Sequence, residues 1–124
     1  MIDSVIEVLN SLSKVEGIDT ALVVDKDGIL IAADSFHKSG YSESLASLFA
    51  RAIYEFEKST MLTQADKSND INQLVIERQN EERLVMTVTT SFILAVVTKG
   101  MTNLGLLRME IRDSIDKLKP LLGS

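Results

Sequence analysis

Two short runs of residues, 20–24 and 92–98, are apolar at successive positions and not only at alternate ones. Both runs are bounded by turn residues and rich in the side chains that favour β-strands. A strand that is apolar on both sides needs cover on both faces of its sheet. These two runs therefore predict a sheet that lies between two layers of helices, with both runs near its centre.

Three further strands complete the predicted sheet. Residues 29–33 follow the first run after an Asp-Lys-Asp-Gly turn, so the two segments form a hairpin. Apolar side chains recur at every second position in residues 73–79 and again in residues 83–89. A tight turn then leads into 92–98, as in a three-stranded meander. Placing the two doubly apolar strands side by side gives the order 2-1-5-4-3, in which strand 3 lies at an edge.

Helical periodicity predicts the remaining elements. Apolar residues recur at three- and four-residue steps in 2–15, in 42–62 and again after Thr102, which is a predicted N-cap. The element order is then α-β-β-α-β-β-β-α. This order describes an α+β fold, in which helices cover both faces of a single five-stranded antiparallel sheet. We expect residues 1–124 to form one domain, because this length suits a single core.

The middle helix has two semi-apolar faces. The main stripe is expected to pack on the sheet and comprises Leu45, Leu48, Phe49, Ala52, Ile53 and Phe56. Each residue turns the helix by about 100°, so a second set of side chains lies well away from this stripe around the helix axis. This set comprises Ala46, Ala50, Tyr54 and Met61. Since a surface helix ordinarily buries one stripe, the second face predicts a second packing partner.

Strand 3 gives an independent reason to expect a partner. Leu74 and Ile76 would lie on an exposed edge strand, and such edges promote association unless they are blunted or paired. Pairing with a second copy would cover the edge and bring two middle helices side by side. We therefore expect a two-fold homodimer. Its candidate interface residues are Ala46, Ala50, Tyr54, Met61, Leu74 and Ile76.

The composition excludes several classes of function. The net charge is -5 and the 13 Lys and Arg residues are scattered, which argues against nucleic acid as a partner. The absence of cysteine excludes thiol nucleophiles and Cys-based metal sites. Residues 1–15 carry Asp3 and Glu7 where a secretory leader would be basic, and the longest apolar run is too short to cross a bilayer. We therefore expect a cytoplasmic protein without direct membrane insertion.

One glycine pair has the first spacing of a phosphate-binding loop. Gly100 and Gly105 are separated by four residues, as in the G-x-x-x-x-G-K-[ST] pattern. Leu106 and Leu107 stand where that pattern needs Lys and a hydroxyl residue. Without the cation and the magnesium ligand, this segment is not predicted to bind a nucleotide.

The remaining polar clusters do not form a catalytic or metal site. His37, the single histidine, has no nucleophile or orienting acid signature around it and is predicted to be a solvated loop residue. Asp25 and Asp27 lack the glutamate that completes a calcium loop, so they are interpreted as turn residues. Glu81 and Glu82 fall at a hairpin tip, which offers no pocket to separate their pKa values. We therefore expect no enzyme activity, no cofactor and no bound metal.

Three features resemble the roadblock / dynein light-chain family, in its prokaryotic MglB-like branch. One is Gly-Ile-Asp-Thr-Ala-Leu-Val-Val-Asp-Lys-Asp-Gly at 17–28, which is similar to the family's first strand and acidic turn. Another is Asn-Leu-Gly-Leu-Leu-Arg at 103–108, which is similar to the opening of its last helix. The third is the order and length of the elements over essentially the whole chain. The resemblance implies the five-stranded fold, dimerisation through the middle helix and strand 3, and a helix-packing role for Gly105.

The resemblance also implies a function without catalysis. Family members are platforms; some bind small Ras-like GTPases and alter their nucleotide cycle, and others scaffold larger complexes. In the MglB-like branch the GTPase docks on the paired middle helices, so the candidate contacts are Ser47, Arg51, Tyr54, Glu55 and Lys58. We expect Arg51 to support binding and not to act as an arginine finger. Two alternatives stay open: a dimeric scaffold subunit without effect on GTP hydrolysis, and a small-ligand sensor with a pocket between sheet and helix.

Overall fold

The computed structural model describes residues 2–34, 41–63, 72–100 and 102–123, and within the second helix it describes the side chains of residues 42–58. His37 lies outside the described residues. In chain order, the elements are helix α1 (Ile2–Ser13), strands β1 (Ile18–Val24) and β2 (Leu30–Ala33), helix α2 (Tyr41–Thr63), strands β3 (Gln73–Glu77), β4 (Arg83–Val88) and β5 (Ile93–Thr98), and helix α3 (Leu104–Leu122). This order is the predicted one.

The five strands form one antiparallel sheet in the order β2-β1-β5-β4-β3, which confirms the predicted topology. β1 and β5 are neighbours at the centre, where Leu22 pairs with Ala95 and Val24 with Ile93. Every residue of β5 is buried. The doubly apolar sequence of these strands therefore reflects a place with a strand on either side and helices on both faces.

Successive residues of the central strands point into two separate cores, because side chains alternate between the faces of a strand. The core under α1 and α3 contains Val5, Leu9, Leu12, Ala21, Val23, Leu94, Val96, Leu107, Ile111 and Leu118. The core under α2 contains Leu22, Val24, Ala46, Phe49, Ala50, Ile53, Met86, Ile93, Ala95 and Val97. Removing this apolar surface from water is the main favourable contribution to folding.

Helix α2 is rotated about its axis relative to the predicted orientation. Its buried side chains are Ser42, Ala46, Phe49, Ala50 and Ile53. Leu48 and Phe56, which were expected in the core, are about half exposed, at 54% and 50%. The small side chains of Ala46 and Ala50 let the helix approach β1 and β2 closely, and Leu48 and Phe56 are left on the flank of the helix. The expectation that Ala46 and Ala50 belong to a second face that packs against another copy of the chain is therefore wrong.

The start of α3 also differs from its prediction. The N-cap is Asn103 and not Thr102, because the Asn103 Oδ1 accepts a hydrogen bond from the Leu106 N–H at 3.0 Å. Thr102 instead lies against Gly17, where an added Cβ would come within 2.5 Å of the Thr102 Oγ1. Gly105 is exposed, and a Cβ added to it would meet only the Asn103 Oδ1, at 3.4 Å. The packing role inferred for Gly105 is therefore wrong.

Candidate functional site on helix α2

An open groove separates one flank of α2 from the turn between β1 and β2. It has a volume of about 350 Å³ and is lined by Lys26, Asp27, Gly28, Ser47, Ala50, Arg51 and Tyr54. We call this feature the α2 groove. Three of the five predicted partner contacts, Ser47, Arg51 and Tyr54, therefore lie together on its helical wall. The turn residues form the other wall, and Ala50 belongs to the buried face of the helix.

The turn that forms one wall of the α2 groove is fixed by Asp25. The Asp25 Oδ1 accepts hydrogen bonds from the Asp27 N–H at 2.9 Å and from the Ile29 N–H at 3.0 Å. The Gly28 N–H also donates to the Asp25 carbonyl oxygen at 3.1 Å. This pattern is an Asx-type turn, so the interpretation of Asp25 as a turn residue is confirmed. The turn holds the side chains of Lys26 and Asp27 beside α2.

The cations at the groove are not neutralised within the part of the chain that the structure describes. Arg51 and Lys26 are exposed, and neither has a carboxylate of the described residues within ion-pair distance. Elsewhere, Arg78 pairs with Glu82 at 3.0 Å and Arg83 with Glu77 at 2.9 Å. Arg51 and Lys26 are therefore available to an external anionic group.

The other two predicted partner contacts lie nearby on α2. Lys58 is exposed and follows Arg51 by seven residues, so it continues the same helical stripe beyond Tyr54. Glu55 is also exposed; it follows Arg51 by one helical turn but does not line the groove, and it lies on the adjoining outer ridge of the helix. Four of the five residues thus share one flank, and Glu55 stands beside them.

Sequence reasoning did not assign Lys26, Asp27 and Gly28 to this site. The Asp-Lys-Asp-Gly segment was predicted as a turn, but a turn prediction does not say which helix the turn faces. The available signal is Gly28 itself, since glycine often marks a close approach of two segments. A Cβ built on Gly28 would lie 3.3 Å from the Cβ of Ala50.

The opposite flank of α2 is apolar. It consists of Leu45 and Ala52, which are half-buried, and Leu48 and Phe56, which are about half exposed. We call these four residues the apolar flank. Tyr54, predicted for the dimer interface as well as for partner binding, is 61% exposed and lines the groove. The side chain of Met61 lies outside the described part of α2.

The sheet adds half-buried apolar residues on the α2 side of its free edge. Leu74 and Ile76 of β3 contact the core under α2, together with Leu84 and Val88 of β4. α2 packs mainly over β1 and β2, at the other end of the sheet. The predicted interface residues Leu74 and Ile76 are therefore partly uncovered beside an edge strand, as the edge prediction requires.

The described residues contain no group of three His, Asp or Glu side chains placed to hold a metal ion. Among the described helices, none combines the length and apolar character needed to cross a bilayer. The one described groove on α2 brings together hydroxyl groups, cations and a carboxylate from a turn and a helix. This arrangement can hold a polar group of a partner by hydrogen bonds and charge.

Comparison with known proteins places the chain in a family. The family model for the Roadblock/LC7 domain matches residues 5–98 of the chain. The uncharacterized protein MJ0310 of Methanocaldococcus jannaschii is 31% identical over 112 residues, which cover 90% of this chain and 94% of that protein.

Two solved structures have the same fold. Myxococcus xanthus MglB superimposes with a TM-score of 0.84 at 26% identity, covering 97% of this chain and 88% of that one. The gliding protein MglB of Thermus thermophilus superimposes with a TM-score of 0.80 at 18% identity, covering 98% and 90%. With its sheet order and matched residues, the chain belongs to the Roadblock/LC7 family and has MglB proteins among its structural neighbours.

Proposed function

We propose that residues 1–124 form a single domain and that two copies of the chain form a non-catalytic, cytoplasmic homodimer. This homodimer would bind a small Ras-like GTPase and modulate its nucleotide cycle. The observation that carries this proposal is that α2 presents two exposed flanks of different chemistry. An apolar flank suits a second copy of the chain, and a polar, cationic flank suits a different protein. Membership of the Roadblock/LC7 family and similarity to MglB support a role in GTPase regulation.

The dimer would form through the apolar flank of α2 and the free edge of β3. Leu48 and Phe56 expose about half of their surface, and exposed apolar patches mark interaction sites. The β3 edge lies next to half-buried Leu74 and Ile76, so strand pairing would satisfy the edge and extend apolar contact. A two-fold axis beside β3 would bring the two apolar flanks together and leave both α2 grooves open.

The GTPase would then contact the polar flank. Ser47, Arg51, Tyr54 and Lys58 are the proposed contacts, with Glu55 on the adjacent ridge. Arg51 would position the partner and would not reach the transferring phosphate. This division separates the residues that bind the second copy from those that bind the GTPase.

The dimer is tested by light scattering at micromolar concentration. We expect a mass of two chains for the wild type and of one chain for Phe56→Glu, because a carboxylate cannot be buried in an apolar interface without a partner. Met109→Glu is the matched control, since Met109 is 63% exposed on α3, on the other side of the sheet. A wild-type mass equal to one chain contradicts the proposal.

The GTPase is tested by capture from a lysate of the source organism. Immobilised protein is offered lysate with a non-hydrolysable GTP analogue or with GDP, and we expect retention of a small GTPase with the analogue only. The purified GTPase then permits a turnover assay, in which Arg51→Ala should weaken binding more than it slows turnover in the bound complex. A large loss of turnover at unchanged affinity contradicts the positioning role of Arg51.

The scaffold alternative has a distinct outcome in the same experiment. Retention of other proteins without any GTPase, or a bound GTPase whose hydrolysis is unaltered, would favour a scaffold subunit. The sensor alternative finds little support, because the core residues identified between α2 and the sheet are apolar and a specific ligand site needs convergent polar groups.

A further inference from the structure

We propose that the α2 groove is an acceptor site for a single acidic side chain, Asp or Glu, on a protein partner, whose carboxylate is held by Arg51 and Lys26. The inference rests on the proposed function in one respect, namely that the partner in the cell is the GTPase. The anionic character of the ligand follows from the groove alone, and it is a carboxylate because Asp and Glu are the ordinary anionic side chains of a protein partner.

The lining supplies the donors that a carboxylate needs. Arg51 offers a planar guanidinium that can donate two parallel hydrogen bonds to one carboxylate. Lys26 stands on the opposite wall, and Ser47 and Tyr54 add hydroxyl donors on the helical wall. None of the described carboxylates lies within ion-pair distance of either cation, so binding need not break an internal ion pair.

The charge of the groove suits an anionic side chain. Lys26 and Arg51 carry two positive charges and Asp27 carries one negative charge, which leaves a net charge of +1 on the lining. The chain as a whole carries -5, so the groove is a local exception on an acidic protein. Asp27 at the rim repels any bound anion, but the two cations exceed it by one charge, which a single carboxylate neutralises.

The shape of the groove suits one side chain on a short segment. A volume of about 350 Å³ in an open depression admits a side chain and its neighbours, and Gly28 and Ala50 keep that space clear. The ring of Tyr54, 61% exposed, can pack against the aliphatic carbons of a bound Glu. Because the bonds to Asp25 already fix the turn, little conformational entropy would be lost when the ligand binds.

The test is a titration of the isotope-labelled full chain followed by nuclear magnetic resonance. The probes are the blocked tripeptide Gly-Glu-Gly, its neutral counterpart Gly-Gln-Gly, and inorganic phosphate at equal concentration and ionic strength. We expect the Glu peptide to shift the amide signals of Asp27, Gly28, Ser47 and Arg51. We expect phosphate to shift them less, because it has no aliphatic carbons to pack against Tyr54, and the Gln peptide to leave them in place. Equal shifts with phosphate would reduce the groove to an unselective anion site and overturn the proposal.

Two substitutions give opposite expectations. Arg51→Ala should weaken binding of the Glu peptide by about tenfold, because a charge-assisted hydrogen-bonded pair is lost. Asp27→Asn should strengthen it several-fold, because the repelling carboxylate is removed while the shape is kept. Arg112→Ala, which removes an exposed cation from α3, is the matched control and should change nothing. If Asp27→Asn and Arg51→Ala both behave like Arg112→Ala, the proposal is wrong.

The peptide titration tests the acceptor site and the capture experiment tests the proposed function, so either claim can be contradicted without the other. Binding of the Glu peptide without capture of any GTPase would keep the acceptor site and overturn the proposed function. Capture of a GTPase by wild type and by Arg51→Ala with equal affinity, together with no response to the peptide, would keep GTPase binding as the function, remove Arg51 from its contacts and overturn the acceptor site.

Discussion

Gly28 and Ala50 bring the β1–β2 turn into contact with helix α2, since a Cβ built on Gly28 would lie 3.3 Å from the Cβ of Ala50. The φ angle of Gly28 is +92°, in the region that glycine adopts without steric cost. This contact places Ala50 beside the turn, on the buried face of the helix. It also keeps the α2 groove open, because no larger side chain occupies its floor.

Gly28→Ala should destabilise the protein through both its backbone and its side chain. The positive φ costs an L-residue about 1–2 kcal/mol, and the added methyl group also presses on Ala50. Urea unfolding measures the loss in the free energy of unfolding. Gly100→Ala is the control, since Gly100 has a φ of +69° but open space around a Cβ. Equal losses at the two positions would show that contact with Ala50 does not matter.

The rotation of α2 predicts different roles for two adjacent apolar residues. Phe49 is 1% exposed and Leu48 is 54% exposed. Phe49→Ala should lower the free energy of unfolding by about 3–5 kcal/mol, as expected for loss of a buried aromatic side chain. Leu48→Ala should have a small effect on the fold and should weaken self-association, measured by light scattering. Large losses of stability at both positions would restore the helix orientation expected from the sequence, in which both residues face the sheet.

The sheet could be predicted from the sequence because its signal is local. The runs containing Leu22 and Leu94 are apolar on both sides, and this property fixed their central position without knowledge of any contact. The orientation of α2 could not be predicted in this way. Larger residues such as Leu48 and Phe56 appeared better suited to a core than Ala46, but the closeness of helix and sheet, which no local pattern contains, selects the small residues.

The candidate site could also be predicted only in part, because some of its residues meet through packing between distant segments. Ser47, Arg51 and Tyr54 share a stripe by helical geometry, so their neighbourhood could be predicted from their spacing. Lys26 and Asp27 are about twenty residues earlier in the chain, and they reach the groove only because the hairpin packs beside the helix. A turn motif specifies its own backbone and not the surface against which it lies.

A buried hydroxyl in β5 offers a stabilising substitution. Thr98 is fully buried, and its Oγ1 has no hydrogen-bond partner among the described residues. Thr98→Val keeps the branched shape and removes the unsatisfied group, so it should raise the free energy of unfolding by about 1–2 kcal/mol. Thr20→Val is the comparison, since the equally buried Thr20 donates to the Asp19 Oδ2 at 3.2 Å. A loss of stability in Thr98→Val would contradict this account.

The cap of α3 should be measurable by a single change. Asn103→Ala removes the acceptor for the Leu106 N–H and should lower the free energy of unfolding by about 1 kcal/mol. Asn103→Asp keeps an acceptor oxygen and adds a charge that the helix N-terminus favours, so it should retain the stability. Thermal unfolding followed by circular dichroism compares the two variants. If Thr102→Ala proved the more costly change at the helix start, the cap would be assigned to the wrong residue.

The sign of the change in the free energy of unfolding caused by Gly105→Ala distinguishes a packing glycine from an exposed one. A glycine that lets helix and sheet approach cannot be enlarged, whereas an exposed glycine in the first turn of α3 can be. An added Cβ meets only the Asn103 Oδ1, at 3.4 Å, which is an ordinary contact. Gly105→Ala should therefore raise the free energy of unfolding by about 0.4–1 kcal/mol, because alanine has less conformational entropy to lose.

Gly17→Ala is the comparison and should lower the free energy of unfolding, since Gly17 has a φ of +95° and a Cβ there would lie 2.5 Å from the Thr102 Oγ1. Destabilisation by both substitutions in urea unfolding would contradict the exposed position of Gly105.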